Sequence, residues 1–319
     1  MRIGKNPEKD LYKEIIYKPH RIIIPVYIPN SNEEYFNNLF SVLKTSINSL
    51  LKTTNKSQTN ITIINNDSKK EVTDYIDDLL ISKKIDKHVK LGTNYGKVYT
   101  VLSEAKASYE DFITIADADV FYFSNWLHRT IDIFKNYKKA GVVAPLPMPQ
   151  LSYYSNYSLF FDNLLKIKKG KVVLDEDLLL FEKSINNQIS LKKNNWFKNQ
   201  LYLSRNNVKV CIGAGHFVAT YRKDVLHKIK INKTKFVFED GAETFYLDNP
   251  IDKLGYYRLS TLKTFAYHLG NNIPNWVNNF EFSALEITNY NFVNKFKKPV
   301  INYKFKEFTG RIYRKLKIF

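Results

Sequence analysis

Phe112-Ile113-Thr114-Ile115-Ala116-Asp117-Ala118-Asp119 is five residues of buried-strand character followed by two carboxylates one residue apart. Aromatic and β-branched side chains fill the run, as suits a covered, pleated surface. An apolar run of that length with polar ends is the length of a strand, not of a helix. Upstream, Lys97 to Ala107 reads as a helix, and His88 to Leu91 as a short strand before Gly92-Thr93-Asn94-Tyr95-Gly96. Glu71 to Ile81 is helical, and Ile61-Thr62-Ile63-Ile64 is a strand ended by Asn65-Asn66-Asp67-Ser68. Glu33 to Lys52 carries Phe36, Leu39, Phe40, Leu43, Ile47, Leu50 and Leu51 at the three- and four-residue intervals of a helix. The apolar segment Arg21 to Pro29 opens the series as a strand. Downstream, Asn125 to Tyr137 is a helix and Val142 to Pro145 a strand. Strands alternating with helices specify an α/β, Rossmann-like fold with a mostly parallel central sheet flanked by helices. Such sheets bind ligands at the carboxyl ends of their strands. Tyr27–Asn30, Asn65–Asp67, Asn94–Lys97 and Asp117–Asp119 all fall there.

Beyond residue 146 the pattern weakens. Pro145, Pro147 and Pro149 open an irregular stretch, and residues 150–209 show no clear periodicity and include the basic run Lys192 to Arg205. Order returns over Val210 to Ala219, with a helix expected from Lys223. Phe236-Val237-Phe238-Glu239-Asp240 leads into a helix through Leu254, and Thr264 to His268 is a last short strand. No internal repeat or flexible linker interrupts the chain. One catalytic domain over 1–275 is expected, in halves of about 21–146 and 147–275, with an extension over 276–319.

The 319 residues carry 49 Lys plus Arg against 31 Asp plus Glu, a net charge of +18, with 22 Tyr and 22 Phe. That balance attracts anions: nucleotides, nucleic acid or an anionic membrane face. Cys211 is the single cysteine, which excludes an intrachain disulfide framework and a Cys-rich zinc site and suits a reducing, cytoplasmic compartment. The N-terminus has no signal-peptide core, and no run reaches the roughly 18–20 apolar residues of a membrane span.

Asp117 and Asp119 repel each other unless a divalent cation or sugar hydroxyls intervene, and hard cations such as Mg²⁺ and Mn²⁺ take oxygen ligands shared with substrate phosphates. Composition alone yields about one Asp-x-Asp by chance in a chain with this aspartate content; the second, Asp175-Glu176-Asp177, lies in the irregular half. Glu239-Asp240 reads either as the acidic start of a helix or as a general base beside an acceptor hydroxyl. His268 reads as a packed core residue or as an imidazole ligand to a metal at Asp119. Gly213-Ala214-Gly215-His216 lacks dinucleotide-fingerprint spacing and reads as a close backbone approach. Lys97, at a helix start, could meet a phosphate or lie in solvent.

In their order along about residues 21–270, these features resemble the glycosyltransferase family 2 group, whose fold is GT-A. The resemblance implies that the first strand, with Pro25 and Tyr27, holds the nucleotide base, that Asp67 binds the base, and that Asn94 and Lys97 belong to the donor site. It implies that Asp117 faces the ribose or sugar, and that Asp119, with His268, holds Mn²⁺ or Mg²⁺ at the diphosphate. Residues 21–146 are then the nucleotide-sugar half and 147–275 the acceptor half, where Gly215, His216 and Glu239 lie and Asp240 is the base. Glu243, one helical turn beyond Asp240, is the competing base. The implied reaction is inverting transfer from a nucleoside-diphosphate sugar to a glycan or lipid-linked acceptor in surface polysaccharide or lipopolysaccharide synthesis. The Q-x-x-R-W signature of processive synthases is absent, so a non-processive enzyme is expected. Two other functions fit parts of the sequence: a nucleotidyltransferase-type two-metal enzyme, and a non-catalytic nucleic-acid binder. No nucleic-acid motif such as an RNP sequence is present, so no nucleic-acid partner is expected.

The last 29 residues hold nine Lys or Arg and one acid, Glu307. Ile301, Phe305, Phe308, Ile312, Leu316 and Phe319 recur at helical intervals, with Lys304, Arg311, Arg314 and Lys315 beside or opposite them. A basic amphipathic helix suits the anionic inner face of a membrane, making the expected location peripheral; the other reading is a helix packed on its own domain or on a second subunit. The oligomeric state is open at this level.

Overall fold

Ile22, Ile23, Ile24 and Val26 are all fully buried, which a strand achieves only when both faces of its sheet are covered. They form β1 (His20–Val26) in the computed structural model, which describes residues 3–10, 14, 16–185, 195–231, 241–292 and 302–315. The elements that follow are α1 (Glu34–Asn37), α2 (Leu39–Thr53), β2 (Thr59–Asn66), α3 (Lys70–Ile81), β3 (Lys87–Leu91), α4 (Lys97–Lys106), β4 (Phe112–Ala116), β5 (Val120–Tyr122), α5 (Trp126–Asn136) and β6 (Ala140–Ala144). The second half supplies α6 (Tyr157–Asn163), β7 (Lys168–Gly170), α7 (Asp175–Ser184), β8 (Gln200–Arg205), β9 (Val208–Ile212), β10 (Val218–Arg222) and α8 (Lys223–Leu226). A single π-helical turn (Thr244–Asp248), α9 (Asn249–Lys253), β11 (Tyr257–Ser260), β12 (Ala266–His268) and α10 (Tyr303–Lys315) follow.

Among the described residues, ten strands form one sheet in the order β3-β2-β1-β4-β10-β6-β11-β9-β8-β7. The expected parallel arrangement is present across β3, β2, β1 and β4, and again between β6 and β11. β10 runs antiparallel between β4 and β6, and β9, β8 and β7 extend the sheet as antiparallel strands. The architecture is mixed α/β around a large central sheet.

Several expectations change in detail. The first helix breaks at Asn38 into α1 and α2. The stretch without periodicity contains α6, β7, α7, β8 and β9. Val210 to Ala219 is not one strand: β9 ends at Ile212 and β10 starts at Val218. The loop between them turns at Gly213, where φ is +115° and a Cβ would lie 2.5 Å from the Met148 carbonyl oxygen; only glycine fits that close approach. Residues 236–240 lie outside the described residues.

Two features place the site. Because β10 is antiparallel to β4, its entry lies at the exit of β4: Val218 pairs with Ala116, and Asp117 N donates to Phe217 O at 2.7 Å. A second, two-stranded sheet pairs β5 with β12, setting His268 opposite Val120, and Leu269 N donates to Asp119 O at 2.7 Å. Around that ribbon, Phe121, Phe123, Trp276, Phe280 and Phe282 pack edge to face or tilted at 5.0–5.9 Å. α10 packs on α6. Ile301, Leu316 and Phe319 of the expected apolar stripe lie outside the described residues.

Candidate active site

The carboxyl ends of β1, β2 and β4 open onto a cavity of about 590 Å³ lined by Pro25, Tyr27, Asn66, Asn94, Lys97, Asp117, Asp119, Glu243 and His268, with Tyr35 and Asn271 also in its wall. β1 reaches it because its pairing with β4 stops at Ile23 while its pairing with β2 continues to Val26. Pro25 therefore lies where β1 has parted from β4, and its missing N–H leaves no gap in that ladder. The exits of β1 and β2 are tied by Ile28 N donating to Ser68 Oγ at 3.0 Å and Lys69 N donating to Ile28 O at 2.9 Å.

On the β2 side, Asn66 orders the loop before α4. Its Nδ2 donates to Asn94 Oδ1 at 2.5 Å, and its Oδ1 accepts from Tyr95 N at 3.0 Å. Asn94 Oδ1 also accepts from Gly96 N at 2.9 Å. Asn94 Nδ2 remains a buried donor without a hydrogen-bond partner among the described residues.

At the exit of β4 the charges concentrate. Lys97, the first residue of α4, donates to Asp117 and lies 3.3 Å from Glu243 Oε1 across the cavity. Burial works against the Lys97 charge, but Asp117 and Glu243 outweigh it, so its pKa lies above the ordinary lysine value and the ammonium persists. Burial raises the Asp117 carboxyl above the usual range even against Lys97, and Asp119 adds to the rise. His268 Nε2 lies 3.2 Å from Asp119 Oδ2. Burial disfavours the imidazolium, yet Asp119 and Asp117 outweigh it and raise the His268 pKa. For Glu243 burial again opposes the charge, and Lys97 with His216 overcomes it, holding the carboxyl below its ordinary value.

The donor set suits a hard divalent cation. One ligand atom each from Asp117, Asp119 and His268 lies within 4.8 Å of the others. Asp119 Oδ1 is a buried carboxylate oxygen with no hydrogen-bond partner among the described residues. Such an atom costs free energy unless something cationic or protic reaches it. Two carboxylates and an imidazole are ligands that Mn²⁺ accepts, and Mg²⁺ accepts the carboxylates.

The second Asp-x-Asp pair is structural. Asp175, Glu176 and Asp177 form the first turn of α7, and buried Asp177 Oδ1 accepts from Thr264 N at 2.6 Å while its carbonyl accepts from Thr264 Oγ1 at 3.1 Å. Asp67 follows β2 in a left-handed conformation at φ 70°, exposed and outside the cavity lining, where Asn66 stands instead. Gly215 abuts Met148. His216 also stands outside the lining; its Nδ1 lies 3.5 Å from Asp248 Oδ2, and Asp248 is held by buried Arg258 at 2.8 Å. Glu239 and Asp240 lie outside the described residues. Tyr35, Asn66 and Asn271 are lining residues that the sequence did not single out. Asn66 stood next to the favoured Asp67; nothing in the local pattern marks Tyr35 or Asn271.

The structural likenesses are distant. Residues 1–349 of S. aureus TarS superpose with a TM-score of 0.48 at 13% identity, covering 79% of this chain and 60% of that one. A mannosyltransferase, PcManGT from Pyrobaculum calidifontis in complex with GDP-Man and Mn²⁺, gives 0.45 at 13% identity, covering 79% and 59%. The same TarS fragment in complex with UDP-GlcNAc gives 0.44 at 13%, covering 79% and 58%. This chain thus spans about three fifths of the length of those chains. No curated protein sequence matches it. The sequence profile described as "Glycosyl transferase family 2" does match, over residues 22–228, from β1 through α8 and well over half of the chain. The chain belongs to glycosyl transferase family 2.

Proposed function

We propose that the protein is a non-processive glycosyltransferase that moves a sugar from a nucleoside-diphosphate donor to an acceptor hydroxyl, with inversion at the anomeric carbon. The observation that carries this reading is the convergence of Asp117, Asp119 and His268 at the exit of β4, inside a cavity whose other wall is Pro25, Tyr27, Asn66 and Asn94. The nucleoside lies against that wall, with Asp67 at its edge, and Asp117 meets the ribose or sugar. Asp119 and His268 would hold Mn²⁺ or Mg²⁺, which when bound supplies positive charge to the diphosphate. Lys97, protonated and partly buried at the start of α4, exchanges Asp117 for a donor phosphate oxygen and stabilises the departing nucleoside diphosphate.

Asp240 is the base we assign, with Glu239, Gly215 and His216 on the acceptor side. Glu243, one turn further on, is the competing base, and in the ligand-free chain Lys97 and His216 hold its carboxyl below its ordinary value against burial. The acceptor is a glycan or a lipid-linked sugar in surface polysaccharide or lipopolysaccharide synthesis, reached at the cytoplasmic face of a membrane. Among the described residues, no helix is long and apolar enough to cross one.

The test is a melting-temperature screen of UDP-, GDP- and other nucleotide sugars with and without Mn²⁺. A ligand at 100 times its Kd stabilises the folded state by about 2.7 kcal/mol. The expected result is a rise that needs both a nucleotide sugar and metal, followed by release of nucleoside diphosphate on incubation. Release of sugar 1-phosphate instead would point to nucleotidyl transfer, and no rise with any nucleotide sugar would refute the reading.

A further inference from the structure

α10 is packed with a lysine inward and phenylalanines outward. Its inner face carries Lys306 and Gly310, both buried. Lys306 Nζ lies 3.2 Å from Asp162 Oδ1, in a cluster where Lys139 Nζ and Tyr257 Oη donate to Asp162 Oδ2 at 2.8 and 3.0 Å. Tyr303 Oη donates to Asp252 Oδ2 at 3.0 Å. At Gly310 a Cβ would stand 2.3 Å from Tyr157 Cδ1, so the two helices meet there through glycine. These contacts fix the rotation of the helix. They leave Phe305, Phe308 and Ile312 54%, 62% and 37% exposed along one side.

The outward stripe continues onto α6. Phe161 meets Phe305 edge to face at 5.8 Å, and Leu165, in the turn that ends α6, is 98% exposed. Cations surround the stripe: Lys304, Arg311, Arg314 and Lys315 on α10, and Lys166, Lys168 and Lys169 after α6, all exposed. The single acid of α10, Glu307, is engaged by Arg311 at 2.6 Å. Burying a lysine while two phenylalanines face water reverses the usual partition of side chains, and the ion pair at Asp162 compensates the buried charge.

We propose that this face, Phe305, Phe308, Ile312 and Leu165 within their basic border, docks on an anionic lipid bilayer. An apolar stripe bordered by cations matches acyl chains bordered by acidic headgroups. A second copy of this chain fits less well, since a two-fold contact would set basic borders against each other. The face is linked to the acceptor side of the cavity: Asp252 of α9 accepts from Tyr157 N and Ser158 N at the start of α6, and α9 continues the π-turn that follows Glu243. The inference deepens the proposed function by giving a lipid-linked acceptor its docking face, and rests on that reading only for the acceptor.

The experiment sediments the full chain with vesicles of phosphatidylglycerol and phosphatidylcholine, and with phosphatidylcholine alone. Binding is expected only with the anionic lipid, and is lost at high salt. Phe308→Asp should lower partitioning about tenfold or more, and Lys304→Glu with Lys315→Glu by at least about fivefold per base. Phe308→Trp, which keeps the stripe apolar, should show a blue-shifted emission on binding. It also keeps the test open if Phe308→Asp folds poorly. Donor-dependent release of nucleoside diphosphate in solution stays unchanged in these variants, which separates failure here from failure of the proposed chemistry. The proposal is overturned if the wild-type chain ignores anionic vesicles, or if Phe308→Asp binds as tightly. It is also overturned if the chain is a dimer that Phe308→Asp renders monomeric without any vesicle binding.

Discussion

Asp119 and Asp177 share a residue type and the last place in an Asp-x-Asp pair, and their surroundings give them different work. Asp119 leaves one oxygen unpartnered beside Asp117 and His268, whereas Asp177 is committed to Thr264 N. Asp119→Ala is therefore expected to abolish metal-dependent stabilisation by a donor while leaving the ligand-free melting temperature near wild type. Asp177→Ala is expected to keep the metal response and lose about 1–3 kcal/mol of stability, because the Thr264 N–H is left buried without an acceptor. Titrating both variants with Mn²⁺ and nucleotide sugar in a melting assay checks the pair, and the opposite pattern would move the metal site to α7. The base is tested the same way: Asp240→Asn should bind donor and metal but turn over 10²–10⁴-fold more slowly, as loss of a general base does. Glu243→Gln should cost far less. If only the second variant is inactive, the base lies one turn further along.

β1, β2 and β4 meet beneath the site at a buried histidine. His20 Nδ1 lies 3.1 Å from Thr59 Oγ1 and Nε2 lies 2.8 Å from Thr114 Oγ1, which in turn contacts Thr220 Oγ1 of β10 at 2.7 Å. Burial lowers the His20 pKa from its ordinary 6.5 to about 3, against the opposing pull of Glu110. The unfolded chain thus binds the proton more readily than the folded one between those values. Its share of stability is complete above about pH 6.5 and falls as pH drops toward 3, by up to about 1.4 kcal/mol per unit. Denaturant melts of the wild-type chain and His20→Asn at pH 7, 6 and 5 should show that slope in the first and a shallower one in the second; equal slopes would place the titration elsewhere. The same strands show why part of the fold was legible. A parallel strand covered on both faces must be an apolar run, so β1, β2 and β4 stand out. β7 is three residues at the sheet edge, two of them exposed, and the end of β8 is exposed too, so neither leaves a periodic trace. Within the site, Asp117 and Asp119 were visible as a strand's end, but the approach of His268 depends on the β5–β12 pairing, which no local spacing encodes. The rotation of α10 was likewise hidden: its apolar stripe was readable, but Lys306 faces inward only because Asp162 waits on α6.

Across the whole molecule, the excess of cations behind the net charge of +18 includes two contrasting settings. At the site, Lys97 is drawn into a cluster of carboxylates; on α10 and after α6, cations border an outward apolar face. We propose the first arrangement for a bound anion and the cation that accompanies it, and the second for an anionic surface. The central claim is that Asp119 and His268, beside Asp117, hold a divalent cation against a nucleotide diphosphate in the cavity at the exit of β4. A crystal grown with Mn²⁺ and a nucleoside diphosphate, with anomalous scattering recorded for the manganese, tests it most directly. The predicted result is one manganese peak in contact with Asp119 and His268, with the base resting against Pro25 and Tyr27. A nucleotide bound there with the manganese at the first turn of α7, or with no manganese at all, would contradict it.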